Sequence, residues 1–285
     1  MTEKIVVIGA GTMGAGIAQV AVEGGFDVTL VDTTREFLDR GIGNIHNFIG
    51  RKVTKGLLTH AQGGDVLSRL TATTDLNEAV KSAAMVVEAV FENLELKQDI
   101  FRKVDAICPA NVILASNTST IRISSLASVA SHPERVIGTH FFSPVPVMKL
   151  VEVISSDKTG KDIETAAIDI CRKFGKTPIV VKDIPGFIVN RFLCLIYNES
   201  CNMILNGSAS AEDIDQAMKL GCNWPMGPNE IMDLAGVDVC GNAMKAMFEM
   251  TGEERYKPSG LFKTMIDGNQ LGRKTGKGFY DYSKK

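Results

Sequence analysis

The 285 residues carry 45% hydrophobic and 22% charged side chains, a composition that excludes intrinsic disorder and leaves room for about two domains. A formal net charge of −2 and a pI near 6.1 provide no overall positive field for nucleic acid or an anionic membrane, so any anion must be held by local groups. No apolar run approaches the roughly 20 residues needed to span a bilayer, and the chain starts on a strand-like run with neither a secretory signal nor an Arg- and Ser-rich leader.

From Lys4 to about Asp183, short Val/Ile-rich runs alternate with longer stretches of helical periodicity, the pattern of a parallel sheet covered by helices. The first strand candidate, Ile5 to Ile8, runs into Gly9-Ala10-Gly11-Thr12-Met13-Gly14, which opens a helix near Ala15. In that setting Gly9 permits a tight turn, Gly11 lets the backbone approach a pyrophosphate and Gly14 allows helix to pack on strand. Unpaired N–H groups and the helix dipole favour a phosphate at the same point. The next strand, Phe26 to Val31, ends at Asp32, 18 residues after Gly14 (32 − 14), where a carboxylate accepts ribose hydroxyls and repels a 2′-phosphate. NAD is therefore expected. FAD shares these cues, and a merely structural strand-to-helix turn is the plainer alternative.

Lys52 and Lys55 follow on a helical segment closed by Gly56. Three residues apart (55 − 52), they share a helix face, and lysines in a last turn complement the helix dipole. Further strand candidates are Met85 to Val90, Val112 to Ala115, Val136 to Thr139 and Ile179 to Val181. Between Leu94 and Ile107, the residues Ile100, Phe101, Val104 and Ile107 line one face of a crossover helix.

Of the four histidines (His46, His60, His132, His140), only His140 ends an apolar strand run, and strand C-terminal ends are the ligand-binding edge of doubly wound sheets. It leads into Phe141-Phe142-Ser143-Pro144-Val145-Pro146, whose prolines restrict the backbone. Glu152, 12 residues on (152 − 140), sits in Lys149-Leu150-Val151-Glu152-Val153, where apolar flanks predict partial burial and hence a partner. Oxidising an alcohol removes a hydride from carbon and a proton from oxygen. Neutral His140 suits the proton, with Glu152 fixing its tautomer. A satisfied structural role is the commoner use of a strand-end histidine, and the spacing by itself does not decide between the two. The six cysteines are dispersed, without zinc-ligand spacing, which reads as reduced thiols in a cytoplasm and no metal site.

After Lys182 the turn cluster Asp183-Ile184-Pro185-Gly186 ends the Val-rich texture, which sets domains at 1–184 and 185–285. The second domain reads as helices: Phe187 to Asn206, Ala211 to Leu220 behind a Ser210 N-cap, and Asn229 to Met250. The first of these is too apolar for an exposed helix, so it is central to its domain or part of a subunit contact.

Taken together, the glycine loop, Ser116-Asn117-Thr118-Ser119, His140-Phe141-Phe142-Ser143-Pro144, Pro185-Gly186-Phe187-Ile188-Val189-Asn190-Arg191, Pro225-Met226-Gly227-Pro228 and the terminal Gly272-Arg273-Lys274-Thr275-Gly276-Lys277-Gly278-Phe279-Tyr280 resemble L-3-hydroxyacyl-CoA dehydrogenases, above all short-chain bacterial members. The resemblance implies a Rossmann-type α/β domain followed by an all-α C-terminal domain. It implies a cytoplasmic homodimer, joined through the helical domain, that interconverts (S)-3-hydroxybutyryl-CoA and acetoacetyl-CoA with NAD. By the same resemblance His140 is the acid/base and Glu152 its orienting partner, while Ser119 and Asn190 bond the substrate's 3-oxygen and acyl region. Gly9, Gly11, Thr12, Met13, Gly14, Asp32, Asn117, Ser143, Glu92 and Lys97 would contact the cofactor, the last two at the nicotinamide ribose. Lys52 and Lys55 would meet the coenzyme A phosphates. Two departures are Ser143, where many relatives carry asparagine, and Trp224, where they often carry histidine. The alternatives are a dehydrogenase of the same fold acting on a free hydroxy acid or sugar acid, and a cofactor-binding protein without activity.

Overall fold

Every expected Val/Ile run is a strand in a computed structural model that describes residues 3–283. The strands are β1 (Lys4–Ile8), β2 (Asp27–Val31), β3 (Leu70–Thr73), β4 (Met85–Glu88), β5 (Ile113–Ser116), β6 (Val136–Phe141), β7 (Leu150–Ser155) and β8 (Thr177–Lys182). They form one sheet in the order β3-β2-β1-β4-β5-β6-β7-β8, parallel throughout except where β7 runs antiparallel to β6. The chain reverses its direction of growth between β1 and β4, which makes the crevice beside their C-terminal ends the place for a ligand.

The helices of this unit are α1 (Thr12–Glu23), α2 (Arg35–Thr54), α3 (His60–Ser68), α4 (Leu76–Val80), α5 (Leu94–Ile107), α6 (Ile123–Ala127) and α7 (Lys161–Lys173). Ile5, Val7, Leu30, Val87 and Ile137 pack under α1, α2 and α7; Val6, Ile8, Val86, Leu114 and Val136 pack under α4, α5 and α6. Both faces of the central strands are buried, which is why those strands read as continuous apolar runs rather than alternating ones, while Ile179 and Val180 of the edge strand β8 are exposed. A polar side chain within such a strand therefore sits in an apolar layer and needs a partner there.

Two boundary differences bear on the site. Helix α1 begins at Thr12 rather than near Ala15, because Gly11 is already the extended N-cap and its carbonyl accepts from Ala15 N at 2.9 Å. Strand β6 continues to Phe141, so His140 lies inside the strand, where pairing with β7 prolongs the ladder past the expected end.

The second compact unit begins at Ile188 and holds α8 (Val189–Leu205), α9 (Ala211–Cys222), α10 (Pro228–Ala235), α11 (Val237–Thr251) and α12 (Gly260–Asp267). Ser210 caps α9 as expected, its side chain accepting from Asp213 N. The single helix expected from Asn229 to Met250 is two, broken at Gly236, whose φ of 106° is closed to a residue with a side chain. Cys194, Tyr197 and Cys201 of α8 meet Met232, Met244, Met247, Phe262 and Met265 in one apolar cluster. Asp233 accepts Phe279 N and Tyr280 N, both at 3.0 Å, and Asp215 accepts the Tyr280 hydroxyl at 2.7 Å; the two carboxylates bolt the glycine-rich tail to α9 and α10. Among the described residues no helix is long and apolar enough to cross a membrane.

Candidate active site

The loop between β1 and α1 is shaped as a phosphate cradle. Gly9 takes φ 104° and passes Ala89 so closely that a Cβ would lie 2.7 Å from its carbonyl oxygen. At Gly14 a Cβ would lie 1.8 Å from Gly9 O, so the helix can meet the loop only as glycine. A Cβ on Gly11, by contrast, would find nothing within 4 Å; it would project into the open cradle. No side chain caps α1, and Thr12 at its start is exposed, leaving the first N–H groups to a ligand. Met13 is half-buried, packed against the apolar layer.

Asp32 follows β2 and ties the cradle to it: Oδ2 accepts Ala10 N and Oδ1 accepts Thr33 N, each at 2.6 Å. A carboxylate has lone pairs left for two ribose hydroxyls and none of the charge a 2′-phosphate needs. These donors and acceptors fit NAD. Gly11→Val should leave the melting temperature within about 2 °C, as open surface substitutions do, and raise the NADH dissociation constant more than about tenfold, read by fluorescence titration. A melting temperature lowered with unchanged NADH affinity would contradict the cradle.

His140 and Glu152 are register partners across β6 and β7. His140 Nδ1 lies 2.9 Å from Glu152 Oε2, with the two residues 5% and 0% exposed. A carboxylate accepts only, so the ring proton sits on Nδ1 and the Nε2 lone pair is presented to the other side. There Ser119 Oγ stands 3.1 Å away. The ring is held from two further directions by Phe142 (centroids 4.5 Å) and Phe187 (5.6 Å). Phe187, expected to start the first C-terminal helix, instead precedes α8 with φ 48°, a left-handed conformation that costs a bulky residue about 1–2 kcal/mol. Burial of its ring beside His140 offsets that cost.

Glu92 sits outside the sheet, before α5. Its Oε1 accepts from Ser119 N, Thr120 N and Thr120 Oγ1, each at 2.9 Å, and from the Thr118 hydroxyl. Burial acts to raise its pKa, but the Lys97 charge and the threonine donors outweigh it and hold the carboxyl below its usual range. Lys97 is turned inward, 1% exposed, and bonded to Glu88 Oε1 at 2.7 Å. Asn117 Oδ1 accepts Phe141 N at 2.9 Å, stapling the ends of β5 and β6. Ser143 is exposed on the loop after β6, joined to Pro144 by a cis peptide.

Lys52 is ion-paired with Glu23 at 2.7 Å and half-buried, whereas Lys55 is exposed one residue past α2, beside Gly56 at φ 69°. Asn190 lies in the first turn of α8, in the helical unit. Sequence reasoning missed Glu88, an acid at the end of a Met-Val-Val strand that signalled a buried partner. It also missed Lys176, which donates to Val145 O and, at 2.9 Å, to Met148 O, so tethering the loop that follows His140. Burial, with the Lys149 charge, lowers the Lys176 pKa. Burial pushes the Cys171, Cys201 and Cys240 thiols up to about 12, which leaves them unreactive at neutral pH.

Two family models match the chain: the 3-hydroxyacyl-CoA dehydrogenase NAD binding domain over residues 4–184 and the C-terminal domain of the same enzymes over residues 186–282. A probable 3-hydroxybutyryl-CoA dehydrogenase of Deinococcus radiodurans is 44% identical over 98% of this chain and 100% of its own length. The 3-hydroxybutyryl-CoA dehydrogenase of Clostridioides difficile is 41% identical over 99% and 100% respectively. The crystal structure of (S)-3-hydroxybutyryl-CoA dehydrogenase from Ralstonia eutropha superposes with a TM-score of 0.96 at 40% identity, covering 100% of both chains.

Proposed function

The chain belongs to the 3-hydroxyacyl-CoA dehydrogenase family, and from that premise we propose that it interconverts (S)-3-hydroxybutyryl-CoA and acetoacetyl-CoA with NAD, using His140 as acid and base. The observation that carries this reading is the buried His140–Glu152 pair with Nε2 turned toward Ser119. In the oxidative direction the Nε2 lone pair takes the proton of the C3 hydroxyl, and Glu152 stabilises the imidazolium that results. In the reductive direction the imidazolium returns that proton to the developing alkoxide. Bound nicotinamide supplies or accepts the hydride at C3.

Ser119, in contact with Nε2, bonds the substrate's 3-oxygen, and Asn190 is assigned its acyl region. The cradle from Gly9 to Gly14 and Asp32 hold the dinucleotide, with Glu92, Asn117 and Ser143 assigned to its nicotinamide half. Lys55, and Lys52 where Glu23 releases it, suit the coenzyme A phosphates as point charges. The helical unit joins two copies of the chain. Phe192, Leu220, Leu234 and Val239 support that pairing: each exposes more than half of its surface, although all four are apolar. The six cysteines, all thiols, support a cytoplasmic location.

The test is NADH oxidation on addition of acetoacetyl-CoA, with free acetoacetate and with NADPH in parallel. Turnover of the thioester with NADH is expected, with at least about tenfold preference over either replacement. Equal rates on the free acid would favour a hydroxy-acid dehydrogenase, and no oxidation of NADH under any condition would favour a non-catalytic protein. Because reduction consumes one proton, the equilibrium ratio should move toward acetoacetyl-CoA about tenfold per unit rise in pH.

A further inference from the structure

Among the described residues three non-glycines take a left-handed backbone: Phe187 at φ 48°, Asn223 at 55° and Asn269 at 53°. Asparagine visits that region because its short amide bonds locally; a bulky aromatic residue does not. Such a backbone persists only where its surroundings over-determine it, and it clusters at sites that need one side chain in one place. Phe187 follows Gly186, itself at φ 71°, and the two left-handed residues turn the chain back on itself. The Phe187 ring is thereby 1% exposed, in the apolar layer of Ile123, Leu126 and Ile154.

The turn is fastened at its other end. Asp183 Oδ1 accepts Ile123 N and Oδ2 accepts Ser124 N, each at 2.9 Å, so one carboxylate grips the start of α6 with both oxygens. Ile184 O then accepts Phe187 N at 3.2 Å, which completes the link from carboxylate to ring. The Asp183-Ile184-Pro185-Gly186 cluster, a domain boundary in the sequence, thus also sets the place of an aromatic side chain.

That side chain lies against the imidazole, with the Phe187 and His140 planes inclined at 56°, while Phe142 meets the same ring at 52°. The bond from Nδ1 to Glu152 fixes His140 at one point and leaves its plane free to tilt about that point; aromatic rings on two sides remove the tilt. The tilt decides where the Nε2 lone pair points, and proton transfer needs that direction held.

We propose that Phe187 is a positioning residue for proton transfer: its left-handed backbone, fastened through Asp183 to α6, holds the ring against His140 and sets the plane of the imidazole. The proposal deepens the dehydrogenase reading and rests on it.

The experiment is a double-mutant cycle of Phe187→Leu with His140→Gln. Leucine keeps an apolar side chain in the layer but has no flat face for the imidazole. Turnover of acetoacetyl-CoA is measured at saturating NADH, and NADH binding is measured separately by fluorescence titration without substrate. Near-UV circular dichroism registers folding. Asp183→Asn, which keeps the ring and loosens its fastening, is carried through the same cycle and decides the matter if Phe187→Leu does not fold.

Phe187→Leu is expected to lower kcat about tenfold, with KM and the NADH dissociation constant changed less than about threefold. Asp183→Asn should lower kcat about threefold in the same pattern. Both losses should fall below about twofold in the His140→Gln background, because they act through the imidazole. Equal losses in both backgrounds would overturn the proposal, as would an unchanged kcat in folded Phe187→Leu. Weakened NADH binding with kcat preserved would overturn it too, by making the ring a cofactor contact. A wild-type enzyme inert toward acetoacetyl-CoA would overturn the dehydrogenase reading itself; an active wild type with additive losses overturns the positioning role alone.

Discussion

His140→Gln is expected to lower kcat for acetoacetyl-CoA reduction by about a thousandfold, the middle of the range that a positioned acid or base contributes, while KM changes by less than about threefold. The glutamine amide is close in size to the imidazole, can donate to Glu152 and can accept from Ser119, so the pocket between Phe142 and Phe187 stays filled. It cannot carry a proton to an alkoxide. Steady-state kinetics checks this directly, and a loss below about tenfold would remove His140 from the proton-transfer step. Circular dichroism should be that of the wild type, because the substitution removes no packing volume from β6.

Arg135→Met should lower the unfolding free energy by about 3–5 kcal/mol without touching the reacting atoms. Arg135 is 1% exposed and grips Asp105 Oδ1 through Nε at 3.2 Å and Nη2 at 2.7 Å. It also donates to the Asp105 and Pro109 carbonyls, which joins the end of α5 to the start of β6. Asp105 Oδ2 accepts Ser131 N at 2.6 Å. With the guanidinium gone, a carboxylate and two carbonyls remain buried with too few donors, the most expensive way to lose an ion pair. For a chain of this size the melting temperature should fall by about 10 °C.

The pH dependence of that loss has a definite sign. Burial alone would raise the Asp105 pKa, but the bonds from Arg135 and Ser131 outweigh it and hold the carboxyl below its ordinary value of 3.8. A depressed folded-state pKa means that the pair's contribution is fully present above the unfolded value and disappears as pH falls through the folded one. The difference between wild type and Arg135→Met should therefore be constant near neutral pH and shrink below about pH 4. Denaturation followed across pH checks this, and a gap that widened in acid would assign the stability to another group.

Much of the site was legible in the sequence, for reasons that differ from residue to residue. Gly9, Gly14 and Asp32 announce themselves because a strand, a turn and a helix start are local, and their steric and charge demands act within one β-α-β stretch. Glu152 was found from its apolar flanks, which predicted partial burial where the residue is fully buried, and nothing local said that β7 would run against β6. Phe187 was placed in a helix because its neighbours are apolar. Its left-handed backbone is sustained by a contact with a residue 47 positions earlier (187 − 140), which no periodicity displays. Lys52 read as one of two equivalent surface charges, but only Lys55 is exposed, because Glu23 of α1 comes within 2.7 Å of Lys52.

By itself, then, the sequence determined the glycine turn with its acidic partner, the alternation of apolar strands with helices and the helical texture of the second unit. These depend on steric limits, hydrophobic periodicity and helix dipoles, all of which operate over a few residues. The tertiary structure alone decided which charges face inward and which side chains meet. Twelve residues of separation allow many arrangements of His140 and Glu152, and only the antiparallel turn of β7 makes them opposite neighbours. Glu88, Lys97 and Glu92 are three ordinary charges in a list of residues. Glu88 and Lys97 pair because β4 and α5 bring them together in a layer without water, where a charge must find its counter-charge or not be buried at all, and the exposed Glu92 meets Lys97 at the edge of that layer.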